Sequence, residues 1–87
     1  MRDGINTNAI APGAILTPMV AEAFKQVNQA DPKAAETEYV QRNPTKRLGL
    51  PHEVAMVVAF LLSKDASYIN GQTIAIDGGE SNIYGNA

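Results

Sequence analysis

The sequence predicts an α/β chain, with two short parallel strands of one sheet and helices between them. Three observations predict it. Two strand-like segments, 5–11 and 72–76, end in the turn signals Pro12-Gly13 and Asp77-Gly78-Gly79. Between them lie stretches that each begin with a proline at a helix start, at Pro18, Pro32 and Pro51. Asn70-Gly71 has no matching strand before it, so it opens a strand after a helix rather than closing a hairpin. Helix-to-strand order of this kind feeds a parallel sheet. Such sheets are covered on both faces and need more than two strands, so the pattern is that of one end of a larger domain.

Each element has its own justification. In the first segment Ile5, Thr7, Ala9 and Ala11 share one face by period 2, which predicts a buried strand stopped by Pro12-Gly13. Thr17-Pro18 supplies a capping hydroxyl and a preset first helical residue. Behind it Val20, Phe24 and Val27 recur at helical spacing. Asp31-Pro32 opens a second helix over 33–42, whose apolar stripe is thin (Ala35, Tyr39, Val40), so it is expected to be solvated. The linker 43–50 leads to Pro51 and a helix over 52–64. Residues 54–62 are apolar all round, and a helix of that kind must be covered on most sides. The last strand, Gln72-Thr73-Ile74-Ala75-Ile76, is rich in β-branched residues.

Composition narrows the function classes. At 87 residues and 9.3 kDa the chain holds one small domain at most. It has no cysteine and one histidine, so neither a disulfide framework nor a metal site is expected. Seven basic against nine acidic residues leave a net charge of -2, which offers nucleic acid no electrostatic footprint. The longest apolar run, 54–62, is far short of the roughly 20 residues of a membrane span, so no membrane partner is expected. Met1-Arg2-Asp3-Gly4 begins no basic and apolar leader, which makes a cytoplasmic protein the expectation.

Four blocks then carry a specific resemblance. They are Asn8-Ala9-Ile10-Ala11-Pro12-Gly13-Ala14-Ile15-Leu16-Thr17-Pro18-Met19, Arg47-Leu48-Gly49-Leu50-Pro51-His52-Glu53-Val54-Ala55, the pair Phe60-Leu61-Leu62-Ser63 and Ala66-Ser67-Tyr68-Ile69-Asn70-Gly71-Gln72, and finally Asp77-Gly78-Gly79. In this order and spacing they resemble the sixth and seventh strands of short-chain dehydrogenases/reductases, with the intervening helices. Within that family, the stretch with Met19-Val20 and Asn43-Pro44-Thr45-Lys46-Arg47 looks most like members acting on alicyclic alcohols and ketones. The resemblance implies a Rossmann-type doubly wound parallel sheet, of which residues 1–87 would be the carboxyl-terminal fragment, incomplete as a domain. It implies an oxidoreductase using NAD or NADP, a small apolar or alicyclic alcohol/ketone substrate, and a homo-oligomer (tetramer or dimer) in the intact enzyme.

The departures from that family matter as much. No Gly-x-x-x-Gly-x-Gly turn for a pyrophosphate occurs. The family's Tyr-x-x-x-Lys acid/base pair is absent as well: Tyr39 is followed four residues on by Asn43 and Tyr68 by Gln72, while Tyr84 lies three residues from the end. No catalytic residue is therefore assigned within the chain, and the 87 residues alone are expected to be inactive. The alternative expectation is a non-catalytic remnant or complementing piece that acts only through protein association.

Residue by residue, the resemblance assigns cofactor contacts to Pro12, Gly13, Ile15 and Thr17, and a substrate wall to Met19, Val20 and Phe24. Local chemistry offers plainer readings beside these. Pro12-Gly13 alone is a strand terminator, Thr17 alone a helix cap, and Met19, Val20 and Phe24 equally a packing stripe. Asp77 reads as a turn residue, His52 as a solvated first-turn side chain, and Lys46-Arg47 as surface or structural charges.

Overall fold

Proline opens each of the three described α-helices, because its fixed φ suits the first turn and its missing N–H would go unpaired there anyway. In a computed structural model that describes residues 4–82, the order is β1 (Ala9–Pro12), α1 (Pro18–Val27), α2 (Pro32–Val40), α3 (Pro51–Leu61), a 3₁₀ turn (Lys64–Ala66) and β2 (Thr73–Ile76). The caps follow the sequence. Thr17 Oγ1 accepts from the Val20 N–H at 3.3 Å, and the Asp31 carboxylate accepts from the Ala34 N–H at 3.2 Å.

The strands β1 and β2 pair in parallel, Ala9 opposite Thr73 through Pro12 opposite Ile76, as the helix-to-strand order requires. The first strand is shorter than the alternation predicts. Ahead of Ala9 the backbone still runs beside 67–72, but asparagine side chains do much of the stitching. The Asn6 amide donates to the Ser67 carbonyl at 2.9 Å and the Asn8 amide to that of Ile69 at 3.1 Å. Asn70 Oδ1 accepts from the Thr7 N–H at 2.9 Å, and Asn8 Oδ1 from that of Gln72 at 3.0 Å. Short amide side chains compete with a backbone ladder in this way, which is why strand geometry starts only at Ala9.

Burial is that of an incomplete domain rather than what the strand and helix patterns alone predict. Within the strands only Ile10, Ile74 and Ile76 are even half-buried, and α3 has no buried residue. The apolar cluster lies instead between α1 and α2, where Phe24, Ala35, Val40 and Leu48 pack with Ala14 and Val20. Tyr39 meets Phe24 edge to face, ring centroids 5.7 Å apart. Val27, expected on the same stripe, is exposed. The chain exposes 6596 Å² where a closed fold of this mass exposes about 5,000 Å². Its radius of gyration is 16.2 Å against about 12 Å for a closed domain of this length. The strands and α3 are thus correctly patterned for burial but lack covering layers. Among the described residues no helix is long and apolar enough to cross a membrane, and no cluster of metal-ligating side chains occurs.

Candidate functional site

The carboxyl ends of β1 and β2 lie side by side, with Gly13 directly after the first and Asp77-Gly78 after the second. Gly13 donates its N–H to the Ile76 carbonyl at 3.0 Å, extending the ladder by one bond. A Cβ on Gly13 would stand 2.7 Å from Asp77 Cβ and 3.0 Å from its Cα, so only glycine lets these two strand ends approach so closely. One step on, Ile15 forms a parallel bridge with Gly49. The Leu16 N–H donates to the Gly49 carbonyl at 2.8 Å, and the Gly49 N–H donates to the Ala14 carbonyl at 3.0 Å. A side chain on Gly49 would meet Ile15 Cδ1 at 2.7 Å.

The bridge uses groups of Ala14 and Leu16, so strand alternation turns the N–H and C=O of Ile15 away from Gly49. A donor and an acceptor on one residue then face outward at the sheet's carboxyl edge, the arrangement a planar primary amide can meet with two hydrogen bonds. Two residues later Thr17 is half-buried, with its hydroxyl oxygen capping α1 and its proton still able to donate. The positive end of the α1 dipole opens at the same place, and it favours anionic groups.

Beside this strip is a cleft of about 130 Å³ lined by Ala14, Ile15, Asn43, Arg47, Glu53 and Asp77, among others. Its charged groups are already paired. Arg47 grips the Glu53 carboxylate with both terminal nitrogens, at 2.8 and 3.0 Å. Glu53 also accepts from the Leu50 N–H at 2.9 Å, which caps α3 where the Leu50 side chain cannot. These bonds, the Arg47 one first, pull the Glu53 carboxyl down to about 2. A carboxyl depressed in the folded state stabilises the fold above its ordinary value and loses that contribution as pH falls from about 4.5 to about 2. Glu53→Gln is expected to flatten helix loss over that window in circular dichroism. An unchanged acid profile would mean that the pair does not anchor α3.

Asp77 is equally committed. One carboxylate oxygen accepts from the Gly79 N–H at 3.0 Å and the other from that of Ser81 at 3.1 Å. Its carboxyl is held below the ordinary range, first by the Ser81 side chain and then by those backbone groups. It therefore fastens a turn and is unsuited to carry protons as an acid near neutrality. Lys46 donates to the Gln41 carbonyl and Arg47 pairs with Glu53, so both cations have structural partners. His52 is exposed.

The sites expected from the sequence fall into two groups. Pro12, Gly13, Ile15 and Thr17 come together on one edge. Of the substrate-wall residues, Met19 is 79% exposed, Val20 half-buried and Phe24 buried in the α1–α2 cluster. Phe24 thus serves packing first, with only Met19 presenting a free apolar surface. Sequence reasoning missed Gly49 and Asn43 as part of this edge. The Leu48-Gly49 step beside a proline-started helix was the available signal for Gly49; for Asn43 there was none, because a buried amide in a linker looks like any turn residue.

The family model described as Enoyl-(Acyl carrier protein) reductase matches residues 1–81. Levodione reductase of Leifsonia aquatica is 55% identical over 83 residues, 95% of this chain but 31% of that protein. Its crystal structure superposes with a TM-score of 0.83, again covering 95% of this chain and 32% of that one. Cyclohexanol dehydrogenase of Acinetobacter sp. is 47% identical over 75 residues, 86% of this chain and 26% of that protein. A short chain dehydrogenase family protein from Francisella tularensis reaches a TM-score of 0.85 at 26% identity, covering 93% of this chain and 35% of that one. The chain therefore spans about a third of the proteins it resembles, and its two-strand sheet is part of a Rossmann-type sheet.

Proposed function

The chain belongs to the short-chain dehydrogenase/reductase family, and from that premise we propose that it forms the carboxyl-terminal third of an NAD- or NADP-dependent oxidoreductase. The reaction is hydride transfer between a nicotinamide ring and a small apolar or alicyclic alcohol/ketone. The observation that carries this reading is the outward-facing N–H and C=O of Ile15, next to the Thr17 hydroxyl at the end of β1. Ligands of open α/β sheets bind at that carboxyl edge. Of the residues present, Ile15 would hold the nicotinamide carboxamide through its backbone and Thr17 through its hydroxyl. Pro12-Gly13 would let the backbone lie against the ring. Met19 would supply apolar surface to the substrate, with Val20 and Phe24 supporting it from behind. The nicotinamide group supplies the hydride, and these residues bind and orient it. The acid/base pair would come from outside this chain. The reading includes a cytoplasmic, homo-oligomeric enzyme.

A second reading is favoured by one observation. The apolar face of α3 is uncovered, and a piece that only binds a protein partner would look the same.

The test is a graft in which this chain replaces the matching third of Leifsonia aquatica levodione reductase. In it, Thr17→Ala is expected to weaken NAD(P)H binding by roughly 5- to 30-fold, the equivalent of one to two hydrogen bonds' worth. The same change removes a cap worth about 1 kcal/mol, so stability is measured in parallel, and Thr17→Ser should restore both. If Thr17→Ala lowers stability yet binds the nucleotide as tightly as the parent, Thr17 is only a cap.

A further inference from the structure

Asn43 is the single buried polar residue among those described, 8% exposed, and both ends of its amide are engaged. Its Nδ2 donates to the Asp77 carbonyl at 2.9 Å, and its Oδ1 accepts from the Thr45 N–H at 2.7 Å. The Thr45 hydroxyl in turn donates to the Gly78 carbonyl at 2.8 Å. Gly78 sits at φ 65°, and a Cβ there would lie 2.6 Å from Asn43 Oδ1, so the turn is shaped around this amide.

The location gives the amide its meaning. The α1–α2 pair leaves the sheet at one foot, Thr17-Pro18 just beyond β1, and returns at the other, where Asn43 follows α2. Asp77, which Asn43 holds, is the residue against which Gly13 packs. We propose that Asn43 is a positioning residue, which latches the second foot of the α1–α2 pair to the end of β2 and so keeps that pair in fixed placement against the Pro12–Ile15 strip. Losing the latch would free the pair and the strip to move separately. The consequence for nucleotide placement rests on the function proposed above; the latch itself does not.

Hydrogen exchange without nucleotide, on the graft of this chain onto the remaining two thirds of levodione reductase, tests it, using Asn43→Ala and Asn43→Asp. The aspartate variant keeps an acceptor for Thr45 but, when ionised, loses the donor to Asp77 and turns a negative charge toward that carbonyl. Asp77, Arg47 and Glu53 line the same cleft, so the parent graft is followed at each pH as the control. When protonated, the new side chain regains a donor. At pH 7.5 both variants should lose about tenfold in amide protection over 13–27 and 41–50, with 52–62 unchanged. At pH 4 Asn43→Asp should recover toward the parent while Asn43→Ala does not. Unchanged protection, loss spread equally over 52–62, or no recovery of Asn43→Asp at pH 4 would each overturn the latch. Because no nucleotide is present, such a failure leaves the cofactor reading untouched, and a graft that fails to bind nucleotide leaves the latch untouched.

Discussion

The 87-residue chain by itself is expected to self-associate rather than run as a monomer. Its longest helix, α3, buries no residue, and Met56 and Leu62 are 66% and 83% exposed. Phe60 and Val58 are exposed on α3 as well, and Leu62 caps its carboxyl end. Among the described residues the sheet has two strands, so both outer edges are open to further strands. Monomeric proteins rarely leave apolar patches above a few hundred Å² uncovered. Among the described residues only the α1–α2 cluster is closed, so the strands and α3 gain cover only when copies associate. Light scattering during size exclusion should therefore give a mass well above 9.3 kDa. Replacing Met56 and Leu62 together by glutamate should reduce association without creating activity. A sharp 9.3 kDa peak with dispersed amide resonances would contradict the burial argument.

No NAD(P)H-dependent turnover is expected from the chain alone. Tyr39 lies on Phe24 in the α1–α2 cluster, with Asn43 where a lysine would be needed four residues on. Tyr68 is fully exposed and is followed by Gln72 at that spacing. Tyr84 lies outside the described residues. A missing general acid costs about 10²- to 10⁴-fold on its own, and the phosphate-binding glycines that would hold the nucleotide are lacking as well. With both gone, reduction of cyclic ketones by NADH or NADPH should equal a buffer control. Reproducible turnover that co-purifies with the chain through every separation step would show that a different acid/base group operates here.

Local chemistry was legible where one residue decides the outcome. The three proline starts, the Thr17 and Asp31 caps and the Asp77 turn all lie where short-range rules put them. The parallel pairing of β1 and β2 was legible too, because no strand precedes Asn70-Gly71. Asn6 and Asn8 could not be read as breaking the strand, since their partners are some 61 residues away in sequence. Burial of the strands and of α3 was predicted from patterns that evolved against neighbouring layers, and patterning says nothing about whether those layers are in the same chain. At the site, the Pro12–Thr17 edge followed from the resemblance. Its support from Gly49 and Asn43 depends on contacts made across the linker, where no periodicity exists to be read.

The most direct measurement of the central claim is turnover in the graft of this chain onto the remaining two thirds of levodione reductase. If the chain is the carboxyl-terminal part of such an oxidoreductase, the graft should reduce a cyclic ketone with a nicotinamide nucleotide, which neither part does alone. A graft that folds and binds the nucleotide yet stays without turnover across cyclic and acyclic ketones and alcohols would contradict the account, and would favour a piece that acts only by association.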